Sequence, residues 1–139
     1  MLPTLPIPTP TVLLDCIVAA AACIYLPFLV VAYGRMQVGY DSAAPRALFD
    51  RLPPFAQRAT WAHQNAFETF VIFLAAALMA CVTGQQSALA AWAAIAFVVA
   101  RLLYPVFYIL NIPIARSLMF GIGSLSCGTL FVLSLMSVN

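Results

Sequence analysis

Four long apolar runs, separated by short polar interruptions, set the pattern of this chain. They cover residues 12–33, 57–82, 88–110 and 114–136. About 20 apolar residues in a helix cross the hydrocarbon core of a bilayer. The pattern therefore predicts an all-α fold: an integral membrane bundle of four transmembrane helices, occupying residues 1–139 as one domain. A proline-rich leader (Pro3, Pro6, Pro8, Pro10) precedes the first run and makes Thr11 the expected N-cap. Asp15 then falls in the first helical turn, and Pro27 should kink the helix. Between spans one and two, 34–57 reads as the one sizeable polar loop. The turn 83–87 carries no charge, and Pro113 suits the first position of the last helix. Alanine and glycine on spans two, three and four should let the helix backbones approach closely.

Polar residues recur inside two of these runs at helical spacing. Arg58, Trp61, Asn65, Glu68 and Ile72 fall on one face of span two at 3.6 residues per turn. This stretch also holds the chain's only Glu and only His. On span three, Arg101, Tyr104, Tyr108 and Asn111 form a second stripe, with Pro105 inside it. Proline lacks an amide hydrogen and clashes with the carbonyl four residues back, so the helix should bend at this patch. Arg116 and Ser117 open the last helix.

Composition turns the pattern into a membrane assignment. Apolar residues make up 65% of the chain and charged residues 7%, against about 25% charged in soluble domains; mean hydropathy is +1.04. All six basic residues are Arg and none is Lys, so no polybasic tail for nucleic acid is indicated. The leader has no positive segment, so the first run reads as a retained span rather than a signal peptide. The Arg-bearing loop should be cytoplasmic, with both termini on the opposite side. Cys16, Cys23, Cys81 and Cys127 form no C-x-x-C, and neither a disulfide nor a metal site is expected. Four helices make a thin bundle without a useful enclosed cavity. Buried charge in such a bundle implies that another copy of the chain covers part of the polar stripe, so a homo-oligomer with sites between subunits is expected.

Ionisable residues at membrane depth are costly unless paired or used. Arg116 sits at a helix N-terminus, where the dipole, the free amides and the guanidinium all present positive potential. That arrangement suits an anion. If the anion is a thiolate, the surroundings favour its formation, and Tyr108 and Ser117 could add hydrogen bonds to the sulfur or to an oxyanion. Plainer readings exist for each residue. Glu68 and Arg101 can form an interhelical ion pair. Tyr104 and Tyr108 can be interfacial aromatics, and Arg116 a topology determinant. His63, about 200° from Asn65 on the helical wheel, reads as a hydrogen-bonded packing residue. Spacing alone reaches a ligand site for an anionic molecule and no further.

The segments Trp-Ala-His-Gln-Asn-Ala-Phe-Glu-Thr-Phe (61–70), Arg-Leu-Leu-Tyr-Pro-Val-Phe-Tyr-Ile (101–109) and Ile-Pro-Ile-Ala-Arg-Ser (112–117) together resemble the MAPEG family, membrane-associated proteins in eicosanoid and glutathione metabolism. The resemblance covers nearly the whole chain. It implies a homotrimer of four-helix subunits that binds glutathione between subunits near the cytoplasmic face, with no metal. Carried onto matching positions, Asn65 and Glu68 resemble the glutathione-contacting pair, and Tyr104 and Tyr108 the span-three contacts. Arg116, with Ser117 beside it, resembles the thiolate-stabilising residue. Arg101 resembles the family's buried span-three Arg and is expected in the glutathione-binding set, and Arg35 resembles an Arg that reaches the glutathione carboxylates. Many relatives carry Arg four residues before the Asn, where this chain has Trp61; Arg58 lies one turn earlier on the same face and is expected to bind glutathione by reaching the same carboxylate from further out.

The function so implied is a membrane glutathione transferase of detoxification type, with glutathione peroxidase activity as a companion possibility. Glutathione would be the co-substrate. A lipophilic electrophile or lipid hydroperoxide would arrive from the membrane lipids. The alternative is a non-catalytic lipid-binding or scaffold protein on the same fold. A small transporter using Glu68 as proton site is a third reading, opposed by an Arg able to pair with that Glu.

Overall fold

The computed structural model describes Pro3 and residues 5–138; the leader residues Met1, Leu2 and Thr4, and Asn139, lie outside the described residues. Among the described residues, four long helices make up the fold, α1 (Thr9–Gln37), α2 (Pro54–Val82), α3 (Ala88–Ile109) and α4 (Pro113–Met136), with a short 3-10 helix at Phe49–Arg51 between the first two. All four are long and apolar enough to cross a membrane.

Helix α1 is longer than expected at both ends. It starts at Thr9, with Pro8 in the cap position and Pro10 inside the first turn. The physical reason is that first-turn amides have no helical acceptor, so a proline costs little there. Thr11 is therefore not the cap, and Asp15 lies beyond the first turn and is exposed. The Thr9 hydroxyl instead donates to Gln86 O at 3.2 Å. At the far end the helix runs on to Gln37, which brings Arg35 into its last turn. Both Pro27 and Pro105 sit inside continuous helices.

The other boundaries follow local chemistry. Pro54 and Pro113 occupy the first turns of α2 and α4. Ser87 caps α3 by accepting from Ala90 N at 3.2 Å. Gly84 takes φ 70° after α2, which suits a residue without Cβ. Asn111 turns the chain at φ 58° between α3 and α4, a conformation its short side chain tolerates.

Helix α3 packs against α1, α2 and α4, and α2 packs against α1 and α4. In lipid the apolar effect does not drive helices together, so close contact and polar bonds carry the association. Alanines 56, 59, 62, 76, 77 and 80 of α2 are buried, as are 90, 91, 93, 94 and 100 of α3. Phe73 and Phe97 stack between these helices, 3.9 Å apart and 4° from parallel. Gly34 meets Ala56 so closely that a Cβ on Gly34 would collide with it.

The loop after α1 folds back onto the bundle. Leu48 and Leu52 are buried. Arg51 Nη2 donates to Val38 O at 2.9 Å, and Gln57 Nε2 to Leu52 O at 3.1 Å.

Candidate functional site

The two polar stripes meet along the seam between α2 and α3, in antiparallel order. Arg58 Nε donates to Ile109 O at 2.9 Å, placing a cation on a carbonyl at the α3 C-terminus. One turn on, Trp61 lies between Phe49 and Tyr108, with ring centroids 5.7 and 6.4 Å away. Deeper still, Arg101 Nη1 donates to Asn65 Oδ1 at 3.1 Å and to Thr69 Oγ1 at 3.0 Å. Arg101 is buried and lies 4.5 Å from the Tyr104 ring centroid.

Helix α4 closes the seam from a third side. Met119 O accepts from Arg101 Nη2 at 3.4 Å. Gly123 adjoins the guanidinium, and a Cβ there would lie 3.4 Å from Nη2. Arg116, one turn into α4, holds its guanidinium 4.5 Å from the Tyr108 ring centroid. Tyr104 and Tyr108 meet edge to face at 5.6 Å. Tyr104, Tyr108, Arg116, Ser117 and Phe120 line an open recess of about 270 Å³. The amide of Arg116 donates to Ile112 O, and Pro113 has none. The amides of Ile114 and Ala115 are then the ones that the α4 N-terminus leaves without an intrahelical acceptor.

Partner accounting separates these residues into two groups. Arg58, Thr69 and Arg101 are engaged with the fold itself. In contrast, the Glu68 carboxylate, the Tyr104 and Tyr108 hydroxyls, the Ser117 hydroxyl and the Arg116 guanidinium make no hydrogen bond or ion pair to other described residues. None of these groups is sealed from the outside. Polar groups of that kind at membrane depth are expensive unless something else satisfies them.

The expected Glu68–Arg101 ion pair does not form. Asn65 and Thr69 flank the guanidinium on the face of α2 that meets α3. Glu68 lies about 100° around the helix from Thr69 and is exposed. Arg35 is not brought to the Arg116 group within one chain. It lines a separate open cleft of about 550 Å³ between α1, the loop and the opposite face of α2, with Arg46, Thr60, His63 and Gln64. Its Nε is buried without a partner. His63 is the hydrogen-bonded packing residue expected: its Nδ1 contacts Ile24 O at 2.7 Å, among the rings of Tyr25, Phe28 and Phe67. Thr69 and Gly123 escaped the sequence reading. Thr69 did carry a signal, one turn beyond Asn65 on the same face; Gly123 showed only as one of three glycines in the last run.

Beside the recess, and sharing Phe120 with it, lies an apolar groove of about 280 Å³ lined in part by Thr69, Ile72, Arg101 and Cys127.

These features define a class: a multi-pass integral membrane protein of four helices, with a tyrosine-walled, cationic recess at its α3–α4 turn. The chain belongs to the MAPEG family, whose model matches residues 12–136. Membership is consistent with glutathione transferase or a related activity. Comparisons with curated proteins and with solved structures returned no match.

Proposed function

We propose that this protein is a membrane glutathione transferase. The observation that carries the reading is the cluster of unpartnered groups around the recess: Arg116, Tyr104, Tyr108 and Ser117. Arg116 holds the glutathione sulfur as thiolate, with the Tyr108 and Ser117 hydroxyls donating to it. Thiolate attack on a lipophilic electrophile then forms a thioether, and the leaving group or a proton completes the balance. Catalysis consists of raising the thiolate fraction and positioning it; no side chain acts as a covalent nucleophile. The groove that shares Phe120 with the recess is the place for the electrophile, which arrives from the bilayer. A lipid hydroperoxide in the same place would make the enzyme a glutathione peroxidase.

The active unit is a homotrimer with glutathione between subunits. Arg35 supports this. It lines a cleft that shares no lining residue with the recess, on the opposite face of α2, so one ligand reaches both only across two chains. The loop between α1 and α2 faces the cytoplasm.

Ultraviolet absorbance of glutathione added to purified protein in detergent tests this. A thiolate band at neutral pH, lost in Arg116→Ala, is the expected result. Glutathione that binds without a band would overturn the mechanism, and absence of binding would overturn the substrate.

A further inference from the structure

Arg101 is 6% exposed, yet it lines the apolar groove beside Phe120 and is the only charged residue among the described ones that does. Its hydrogens are not all spent. Nη1 gives both of its own to Asn65 and Thr69, and Nη2 gives one to Met119 O. That leaves the Nε hydrogen and the second one on Nη2; Nε is buried without a partner. The three acceptors are all uncharged oxygens, and no carboxylate among the described residues pairs with the guanidinium. The rings of Phe97 and Phe120, which flank it at 5.7 and 6.0 Å, line the groove as well. An uncompensated cation at membrane depth is costly. An oxygen that carries negative charge offsets that cost where the groove meets it.

The groove has a direction. Thr69, Arg101 and Phe120 stand at the end that shares Phe120 with the recess. Phe131 lies about 16 Å further along α4, at a rise of about 1.5 Å per residue. It stands beyond Gly128, where a Cβ would meet nothing within 4 Å. A single-chain lipid therefore fits one way round, with its polar head at Arg101 and its tail running away from the α3–α4 turn. The head is then the part of the molecule nearest to a thiolate in the recess.

We propose that Arg101 is a catalytic residue that holds the oxyanion formed on the second substrate, and that this substrate is a single-chain lipid with a conjugated carbonyl head, an enal or enone. The glutathione thiolate adds to the β-carbon and forms the C–S bond. The π pair of the C=C bond moves through the conjugated system, and the carbonyl oxygen becomes the enolate oxygen that faces Arg101. A proton, the equivalent of the one that glutathione gave up on becoming a thiolate, goes to the α-carbon and restores the carbonyl. Nothing leaves. Preorganised donors act on charge as it develops, and apolar walls keep water from screening it. The inference rests on the glutathione transferase reading above and names the substrate class for it.

Arg101 also braces Asn65 and Thr69, so its own variants disturb packing. The test is Gly123→Ala, which leaves Arg101 in place. The added Cβ would lie 3.4 Å from Nη2, 3.5 Å from Nε and 3.6 Å from Cζ, in contact without collision, and would cover the donors. Gly128→Ala is the control, a methyl in the same groove that meets no other group. Both are assayed in detergent by conjugation of glutathione to nonenal and to nonyl iodide, a chain of the same length without oxygen. In Gly123→Ala, kcat/KM with nonenal should fall about 10²–10³-fold, the scale of a lost oxyanion donor, and change little with nonyl iodide. Gly128→Ala should affect both electrophiles alike, and the thiolate band should be the same in every variant. Equal loss on both electrophiles in Gly123→Ala overturns the inference by assigning the effect to groove width. An unchanged nonenal rate overturns it outright. Either result leaves the proposed function standing. A wild type that conjugates nonyl iodide but not nonenal overturns the substrate class alone, and one that shows no thiolate band overturns the glutathione reading and the inference with it.

Discussion

The guanidinium of Arg116 lies 4.5 Å from the centroid of the Tyr108 ring. Both residues open onto the same recess. The ring holds the cation by cation–π attraction, worth about 0.5–2 kcal/mol. Tyr108 thus has two separable parts, a ring beside Arg116 and a hydroxyl without a hydrogen-bond partner among the described residues. Tyr108→Phe should keep the first and lose only a hydrogen bond of about 0.5–1.5 kcal/mol. Turnover should fall by about 2- to 13-fold. Tyr108→Leu should cost more, because Arg116 loses its platform. Steady-state conjugation of a lipophilic electrophile checks both; equal effects would show that the ring does not position the cation.

Arg116→Lys keeps the charge but not the planar fork or the stack. Removing one preorganised donor from a developing anion costs about 10²–10³ in rate. Arg116→Ala should reach that scale, with Arg116→Lys in between. Single-turnover rates at saturating glutathione separate this from weakened binding. A lysine variant as slow as the alanine variant would mean that geometry matters more than charge.

His63 ties α2 to α1 one turn before Pro27. Its Nδ1 faces the Ile24 carbonyl, which only accepts, so Nδ1 carries the hydrogen. His63→Leu should destabilise the fold by about 0.5–1.5 kcal/mol by removing that interhelical hydrogen bond. His63→Asn places a donor near the same point and should restore part of the loss. Thermal unfolding in detergent measures this, and equal loss in both variants would assign the effect to ring packing instead.

Gly34 of α1 packs directly against Ala56 of α2. A Cβ there would collide with Ala56, itself buried, so Gly34→Ala forces the helices apart. Overpacking of this kind costs about 1–3 kcal/mol. Ala56→Gly in the same chain removes the opposing methyl and should recover most of it. A double variant no better than Gly34→Ala would show that the strain lies elsewhere.

Much of the architecture was legible along the chain because membrane helices carry a simple signal. Every backbone amide in lipid must be paired within its own segment, so long apolar runs are helices wherever they occur. Pro54, Ser87 and Pro113 punctuate them by local rules. The start of α1 was misread because a proline-rich leader looks hostile to helix, although the first turn accepts proline at little cost. The two polar stripes were legible too, since periodicity alone puts Asn65 with Glu68, and Arg101 with Tyr104 and Tyr108.

Sequence by itself determined the four spans, the stripes and the family that their motifs resemble, because helical period and bilayer thickness act on neighbours in the chain. Only the tertiary structure decided who partners whom. A stripe on a helix is some 80° wide, and either Glu68 or the Asn65–Thr69 pair could have met Arg101. The depth at which α3 crosses α2, and the gap that Gly123 leaves on α4, settled that contact in favour of Asn65 and Thr69. The same packing turned Arg58 to a helix end, stacked Arg116 on Tyr108 and set Arg35 on the far side of α2. Such choices depend on distances between residues far apart in the chain, which no local pattern encodes.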